Sequence, residues 1–257
     1  MAGLLKGKSI VVVGGTTGLG WSAVQALIGQ GAGVVALGLF PENFSQPESA
    51  NLIFLEGDAQ VEGTAERAMD MAVKHFGKLD GLYHVAGGSG RKFGDGPTHE
   101  LSLEGWKKTL DLNLTTVMLS NRAAIRCFLE QNHGGVILNL SSVLAFAPSP
   151  EHFSTHAYAA SKAAIVGFSK SLASTYAKHN IRVNVLAPGL TDTPMATRAK
   201  EDEQIMNFIS KKQPLDGGRI GKPSDLDGMV CQLLSDQSSF ITGQLIAVDG
   251  GWSVTSF

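Results

Sequence analysis

The chain lacks several features that other classes of protein require. Its 257 residues contain two cysteines, Cys127 and Cys231, in no Cys-x-x-Cys or Cys/His spacing, which excludes a disulfide framework and gives no sign of a metal site. Lys and Arg number 21 against 23 Asp and Glu, so the formal charge of -2 gives no general attraction to nucleic acid or to an anionic membrane. Neither a signal peptide nor a membrane span is recognisable in the sequence. We therefore expect a cytoplasmic globular protein with no metal and no nucleic-acid or membrane partner.

What the chain does have is a series of short runs rich in Val, Ile and Leu. They are almost continuously apolar, as strands buried on both faces of a parallel sheet must be. They lie at 10–13, 33–37, 52–55, 81–85, 136–140, 181–186 and 244–248, and segments with helical spacing lie at 18–30, 61–76, 103–130, 155–178 and 223–235. This alternation predicts one α/β domain over residues 1–257, a Rossmann-type, doubly wound parallel sheet of about seven strands flanked by helices.

Two segments do not follow that pattern. The crossover at 40–51 contains Pro41 and Pro47, so we do not expect a full helix there. The stretch around 190–214 is polar and charged. It is interpreted either as a solvated helix or as a mobile lid over a substrate cleft, and the two interpretations are compatible.

A glycine-rich turn follows the first predicted strand. Gly14, Gly18 and Gly20 come directly after Val13 and directly before a predicted helix. Such a turn lets the backbone approach a pyrophosphate at a helix N-terminus, where free N–H groups favour anions. A tight turn without a ligand remains the alternative.

Four polar residues are candidates for the chemistry. Tyr158 and Lys162 are four residues apart on one predicted helix face, so an ammonium can favour the phenolate of a tyrosine that exchanges a proton with an alcohol. Ser142 follows the strand at 136–140, at the strand end where open α/β sheets bind ligands. Asn113 is a polar residue amid apolar neighbours in the helix predicted at 103–130. Taken singly, a serine turn such as Ser142 and a mid-helix asparagine such as Asn113 are structural more often than not.

Several motifs in this order resemble the short-chain dehydrogenase/reductase family almost from end to end. They are LLKGKSIVVVGGTTGLG, GDA at 57–59, LDGLYHVAGG, LDLNLTT, GGVILNLSS, HAYAASKAAI, IRVNVLAPGLTDTPM and FITGQLIAVDGGW. The resemblance implies an NAD(P)-dependent oxidoreductase acting on a secondary alcohol or ketone.

The resemblance also assigns roles to residues. Ser142 binds the substrate oxygen, Tyr158 exchanges its proton, Lys162 lowers the pKa of Tyr158 and holds the nicotinamide ribose, and Asn113 anchors a water relay. The implied cofactor-binding residues are Gly14, Thr16, Thr17, Gly18, Leu19, Gly20, Asp58, Ala59, Ala86, Gly87, Tyr158, Lys162, Pro188, Gly189, Thr191 and Thr193.

The sequence departs from the family pattern at a few positions. Val13 replaces a threonine, and His84 and Val85 replace two asparagines, which puts hydrogen bonds that anchor the strands in doubt more than the chemistry. The segment between Ser142 and Tyr158 is slightly long and is expected to reshape the substrate wall. The segment 215–219 is also expanded.

The choice between NAD and NADP depends on the end of the second strand. An acid there would bind a ribose hydroxyl and repel a 2′-phosphate, but the position is Gly38. The usual places for a cation, Leu39 and Thr17, are neutral. Because a phosphate without a positive partner suffers a larger desolvation penalty than a hydroxyl, the sequence modestly favours NAD.

The substrate is not identified by the sequence. A 3-oxoacyl thioester and a sugar or polyol both remain open, as does the alternative of a catalytically silent dinucleotide-binding protein that acts in regulation or assembly. A thioester carrier would need a basic entrance, so the positions of Arg91, Lys92, Lys211 and Lys212 are informative. Arg91 either pairs with an acid on the substrate or anchors its loop. The resemblance further implies a homo-oligomer, most simply a tetramer.

Overall fold

The apolar runs of the sequence form one parallel sheet. The structure, a computed structural model, describes residues 3–42, 44–45, 47, 49–150 and 152–256. The strands are β1 (Ser9–Val13), β2 (Gly33–Gly38), β3 (Leu52–Glu56), β4 (Gly81–His84), β5 (Gly135–Leu140), β6 (Ile181–Pro188) and β7 (Leu245–Val248). They pair in the order β3-β2-β1-β4-β5-β6-β7. All neighbours are parallel; Val11, for example, lies opposite Val35 and Leu82. The predicted doubly wound sheet is therefore confirmed.

Helices cover both faces of this sheet. They are α1 (Gly18–Gly29), α2 (Thr64–Phe76), α3 (Leu103–Leu110), α4 (Thr116–Gln131), α5 (His156–Tyr176), α6 (Thr197–Lys200), α7 (Glu203–Lys212) and α8 (Asp227–Leu234). Val12 packs with α1 and α8 on one face, whereas Val11 and Val13 pack with α2, α4 and α5 on the other. Burial on both faces explains why the strands are continuously apolar.

Two predicted helices differ from the structure. The segment predicted at 103–130 is interrupted by a π-helical turn, Asp111–Thr115, between α3 and α4. The helix predicted to start at Val61 starts at Thr64, because Gly63 has a left-handed φ of 88°. As expected, the structure assigns neither helix nor strand to the described residues of 40–51.

The polar stretch after β6 folds onto the sheet's carboxyl edge. It contains α6 and α7, and Ile205 and Ile209 of α7 pack in a small cluster with Val143 and Trp252. Trp252 is buried, and its Nε1 donates to Ala147 O at 2.9 Å. This cluster forms a wall beside the end of β5.

In the described part of the chain, no helix combines the length and apolar character needed to cross a membrane.

Candidate active site

A cleft of about 850 Å³ opens at the carboxyl ends of the strands. The strand order reverses between β1 and β4, and ligands bind at such a reversal in open α/β sheets. Of the residues expected to bind substrate or cofactor, those on the cleft wall are Gly14, Thr16, Thr17, Gly18, Leu19, Asp58, Ala59, Ala86, Gly87, Ser142, Tyr158, Lys162, Pro188, Gly189, Thr191 and Thr193. Gly20 and Asn113 are not among the described lining residues.

The glycine turn has the shape of an anion-binding loop. Gly14 has φ of 86°, and a Cβ there would lie 2.7 Å from Ala86 N, so a side chain would collide with the neighbouring strand end. Helix α1 starts at Gly18 with no side-chain cap and no acidic residue in its first turn. Uncapped N–H groups and the helix dipole fit a diphosphate group. The residues present therefore fit the dinucleotide that the sequence analysis expected.

The end of β2 is neutral and crowded. The Thr16 hydroxyl donates to Leu39 O at 2.9 Å, and a Cβ on Gly38 would lie 2.6 Å from that hydroxyl oxygen. The Leu39 side chain is 64% exposed and lines the cleft. Further along, Asp58 accepts a hydrogen bond from Gln60 N at 2.9 Å. Among the described lining residues at the end of β2, neither an acid nor a cation is present.

Tyr158, Lys162 and Ser142 meet on one wall of the cleft. The helix spacing places Lys162 Nζ 5.6 Å from the centre of the Tyr158 ring, and Nζ donates to Leu140 O at 3.0 Å. Ser141 Oγ donates to Lys162 O at 2.8 Å. The end of β5 is therefore hydrogen-bonded to both the side-chain ammonium and the main-chain carbonyl of Lys162. Ser142 starts a short 3₁₀ turn and its Oγ accepts from Leu144 N at 3.2 Å.

The environment shifts the pKa of both titratable groups. Burial raises the pKa of Tyr158 to about 12, and a hydrogen bond with Ser142 acts in the opposite direction. Burial lowers the pKa of Lys162 to about 8. In this structure the cost of burying a phenolate dominates the pKa of Tyr158, and Lys162 Nζ is bonded to Leu140 O, so the lowering of the tyrosine pKa by Lys162 stays a prediction.

Asn113 lies inside the π-helical turn and fixes the loop after β4. Its Nδ2 donates to Gly88 O and to Thr109 O, both at 2.9 Å, and its Oδ1 accepts from Gly88 N at 3.1 Å. Both amide hydrogens are thus used within the protein. The widened turn lets the side chain reach Gly88, and such turns are frequent at functional sites. The water relay expected of Asn113 stays a prediction.

Sequence reasoning missed the residue that holds the start of α5. Asp95 is buried, and its two carboxylate oxygens accept from Ala157 N and Tyr158 N, each at 2.9 Å. A carboxylate at a helix N-terminus is stabilised by the free N–H groups and the dipole. It lies 62 residues before Ala157 in a glycine-rich loop, where no periodic pattern marks it.

His84 occupies a fully buried position beside the catalytic candidates. Its Nδ1 is 2.7 Å from Ser120 Oγ and its Nε2 is 3.0 Å from Ala86 O. Burial, and then the charge of Lys162, lower the pKa of His84 to about 3, so the ring is neutral. His84, which stands where the family pattern has asparagine, therefore still forms a hydrogen bond that anchors Ala86.

Comparison with known proteins identifies the family. The sequence model of a family described as enoyl-(acyl carrier protein) reductase matches residues 13–253. A 2-dehydro-3-deoxy-D-gluconate 5-dehydrogenase of Escherichia coli (strain K12) is 34% identical over 253 residues, covering 96% of each chain. A 3beta-hydroxysteroid dehydrogenase 1 of Eggerthella lenta is 34% identical over 258 residues, covering 97% of this chain and 95% of the other. The chain belongs to the short-chain dehydrogenase/reductase family.

Solved structures of this family have the same fold. A short-chain type dehydrogenase/reductase from Mycobacterium ulcerans superposes with a TM-score of 0.86 at 28% identity, covering 98% of this chain and 91% of the other. An NADPH-dependent 3-quinuclidinone reductase from Rhodotorula rubra gives a TM-score of 0.84 at 27% identity, with coverages of 98% and 93%. The protein is therefore a short-chain dehydrogenase/reductase, an oxidoreductase of the family that uses NAD or NADP.

In this family member, the basic residues of interest divide between cleft and surface. Arg91 and Lys92 line the cleft, together with Arg198, which the sequence analysis did not single out. Lys211 and Lys212 lie on α7 outside the lining, and Lys212 Nζ donates to Thr255 O at 2.6 Å. Besides Lys162, the cations that line the cleft are therefore Arg91, Lys92 and Arg198.

Proposed function

We propose that the protein transfers a hydride between NAD, preferred modestly over NADP, and a secondary alcohol or ketone. The observation that carries this proposal is the position of Tyr158, Ser142 and Lys162 on the wall of the same cleft that contains the glycine turn. Gly14, Gly18 and the first turn of α1 would hold the diphosphate, and Asp58 and Ala59 would face the adenine. Lys162, Pro188, Gly189, Thr191 and Thr193 would surround the nicotinamide end.

The chain's own residues supply the proton chemistry. Ser142 Oγ donates a hydrogen bond to the substrate oxygen. The Tyr158 hydroxyl donates its proton to that oxygen in ketone reduction, and the Tyr158 phenolate accepts the alcohol proton in the reverse direction, alcohol oxidation. With a pKa of about 12, the phenol is protonated at neutral pH and ready to act as an acid. With a pKa of about 8, Lys162 is mostly cationic there and its charge favours the tyrosinate left after transfer. A bound nicotinamide supplies or accepts the hydride.

The preference for NAD rests on the neutral surroundings of Gly38. Thr16, Thr17 and Leu39 are uncharged, so none of them can pair with a 2′-phosphate, whereas water and backbone groups can satisfy a 2′-hydroxyl. The related 3-quinuclidinone reductase is named as NADPH-dependent, so this position deserves a direct test.

Two substrate classes remain in the proposal. The related 2-dehydro-3-deoxy-D-gluconate 5-dehydrogenase supports a sugar or polyol derivative, and the description of the matching family supports an acyl thioester. Either class brings a hydroxyl or carbonyl to Tyr158. We also propose that 190–214 acts as a lid, since Met195 and Arg198 of that segment line the cleft.

The experiment is a screen of alcohols, sugars, hydroxy acids and 3-oxoacyl esters with both nicotinamide cofactors, followed through the absorbance of the reduced cofactor. Turnover by the wild type that is lost in Tyr158→Phe supports the proposal. Dinucleotide binding without turnover on the whole panel would support the alternative, a catalytically silent protein that acts in regulation or assembly.

A further inference from the structure

Two arginines of the cleft lining, from separate segments, meet at one carbonyl oxygen. Arg91 lies in the 3₁₀ turn Gly90–Phe93 after β4, and Arg198 lies on α6. Their Nη2 atoms both donate to His152 O, at 3.1 Å and 3.3 Å. Both side chains line the cleft that contains Tyr158. Like charges repel, so the two guanidinium groups lie side by side at an electrostatic cost.

The positive charge of this pair is only partly compensated. In the described ranges, neither arginine forms an ion pair with a carboxylate. Asp95 is the acid whose charge acts on Arg91, and its oxygens already accept the N–H groups of Ala157 and Tyr158. Burial and the charge of Arg198 both lower the pKa of Arg91. Among the described residues, this group of two cations and one anion in a partly dehydrated cleft would be stabilised by one further negative charge.

We propose that Arg91 and Arg198 bind a carboxylate of the substrate and so place its alcohol or ketone carbon at Tyr158. This inference rests on the proposed function, because it names the substrate class of the same site. The link to Tyr158 is Asp95, which contacts the first turn of α5 and whose charge acts on Arg91. The arginine pair therefore lies next to the start of the helix that carries the proton donor.

Charge favours a carboxylate over a phosphate. Arg91, Arg198 and Asp95 together carry a formal charge of about +1, which one carboxylate neutralises, whereas a phosphate carries about two negative charges. Lys92 also lines the cleft, but its Nζ lies 4.9 Å from the centre of the Phe93 ring, so a phosphate would have to draw it away from that contact to be neutralised. A planar guanidinium also matches the two oxygens of a carboxylate.

The distribution of charge also favours a small acid over an acidic carrier protein. A carrier would need a basic entrance to the cleft, and two of the four cations considered for it, Lys211 and Lys212, lie outside the cleft lining. The lining also contains the apolar side chains of Leu144, Phe153 and Met195. A hydroxy acid or keto acid with an apolar or uncharged body fits this surface.

The test compares ketones that differ only in the carboxylate. The probes are acetoacetate, levulinate and 2-oxobutyrate, each paired with its methyl ester, and the variants are Arg91→Met and Arg198→Met. Each variant is expected to lower kcat/KM for at least one acid by roughly 10- to 100-fold and for its ester by less than about threefold, since a hydrogen bond to a charged group is lost only with the acid. Lys211→Met, which removes a charge outside the cleft, should leave both unchanged.

A binding measurement separates this inference from the proposed function. Calorimetric titration of the dinucleotide-loaded Tyr158→Phe protein with the same acids reports binding without turnover. If Arg91→Met abolishes acid binding and the wild type reduces no ketone, the proposed function is refuted but the carboxylate site is kept. Equal losses for acid and ester, or no acid binding, would overturn the inference. Arginine-dependent turnover of dihydroxyacetone phosphate, but of none of the acids, would show that the site binds phosphate instead.

Discussion

At the scale of single residues, the proton chemistry depends on how burial acts on two neighbouring groups. The same dehydrated wall raises the pKa of Tyr158 to about 12 and lowers that of Lys162 to about 8. Burial disfavours the charged form of each group, so the two shifts have opposite directions. At neutral pH the tyrosine keeps its proton and the lysine mostly keeps its charge, which is the pairing that ketone reduction needs.

Replacing Tyr158 by Phe removes the hydroxyl and keeps the ring. Positioned acids and bases contribute roughly 10²- to 10⁴-fold to rates, so we expect kcat to fall by that factor. Dinucleotide affinity, measured by fluorescence titration, should change little because the ring still fills the wall. A variant that retains more than about half the rate, with chemistry shown to be rate-limiting, would exclude Tyr158 from this role.

His84 should make stability depend on pH. Its pKa is about 3 in the folded protein and ordinarily 6.5, so protonation favours the unfolded state between those values. The stability that it contributes is complete above pH 6.5 and is lost as the pH falls toward 3. The free energy of unfolding then falls by up to about 1.4 kcal/mol per pH unit in that window.

The variant His84→Asn removes this titration, and thermal unfolding at several pH values measures it. We expect the fall in Tm between about pH 7 and about pH 5 to be smaller in His84→Asn than in the wild type, because one fewer proton binds on unfolding. His133→Asn, at an exposed position, is the matched control. Identical pH dependence in the wild type and His84→Asn would contradict the assignment.

Which residues could be predicted depends on whether their contacts are local in sequence. Tyr158 and Lys162 are one helical turn apart, so spacing alone places them together. Asp95 lies 62 residues before Ala157, which it contacts, and Arg198 lies in the segment after β6. Only the folded sheet brings these two residues to the site. No pattern in a loop rich in glycine reveals such a contact.

At the scale of elements, we expect the end of β2 to control the choice of cofactor. A substitution of Gly38 by Asp is a poor test, because its Cβ would lie 2.6 Å from Thr16 Oγ1. Leu39 is exposed and borders the same part of the cleft. Charges of either sign can be placed there without disturbing the core.

We expect Leu39→Arg to raise kcat/KM with NADP relative to NAD by roughly tenfold or more, since a hydrogen bond to a charged group is worth about 1.5–3 kcal/mol. Leu39→Asp should lower NADP use and leave NAD use nearly unchanged. Steady-state kinetics with both cofactors measures this. If the wild type instead prefers NADP by about tenfold, the proposed modest preference for NAD is wrong and a cation near the 2′-position has been missed.

The start of α5 provides a second prediction at this scale. Asp95→Ala removes the acceptors of Ala157 N and Tyr158 N, and should lower the free energy of unfolding by roughly 0.5 to 2 kcal/mol. It should also lower kcat, because the first turn of the helix positions Tyr158. Asp95→Asn keeps one acceptor and should be intermediate. Chemical denaturation and kinetics measure both effects, and an unchanged kcat in Asp95→Ala would limit Asp95 to stability.

Elements were predictable where burial is uniform. The continuously apolar strands were found because both sheet faces bury them, and Gly77 ends α2 in the left-handed conformation expected of a C-cap glycine. The π-helical turn at Asp111–Thr115 was not predicted. It depends on the bonds between Asn113 and Gly88, and no helical periodicity encodes that distant contact.

At the scale of the whole molecule, the sheet order concentrates function at one edge. Parallel strands end together, so Gly14, Ala86, Ser142 and Pro188 reach the cleft from four strands whose other ends take no part in it. The helix surfaces that face away from the cleft are the ones that we expect to take part in assembly. Helix α5 has an exposed surface that includes Ala163 and Gly167.

We predict a homo-tetramer in which α4 and α5 pair with the same helices of another copy. The monomer mass is 27.0 kDa, so size-exclusion chromatography with light scattering should give about four times that value.

The variant Gly167→Arg tests whether the exposed surface of α5 forms the interface. A Cβ at Gly167 meets no heavy atom within 4 Å, so the monomer accommodates the side chain while close helix packing between copies cannot. We expect this variant to form smaller species with unchanged Tm at low concentration. Gly29→Arg, at an equally open position on α1, should remain tetrameric. A monomeric wild type at micromolar concentration would refute the assembly, and a tetrameric Gly167→Arg would move the interface away from α5.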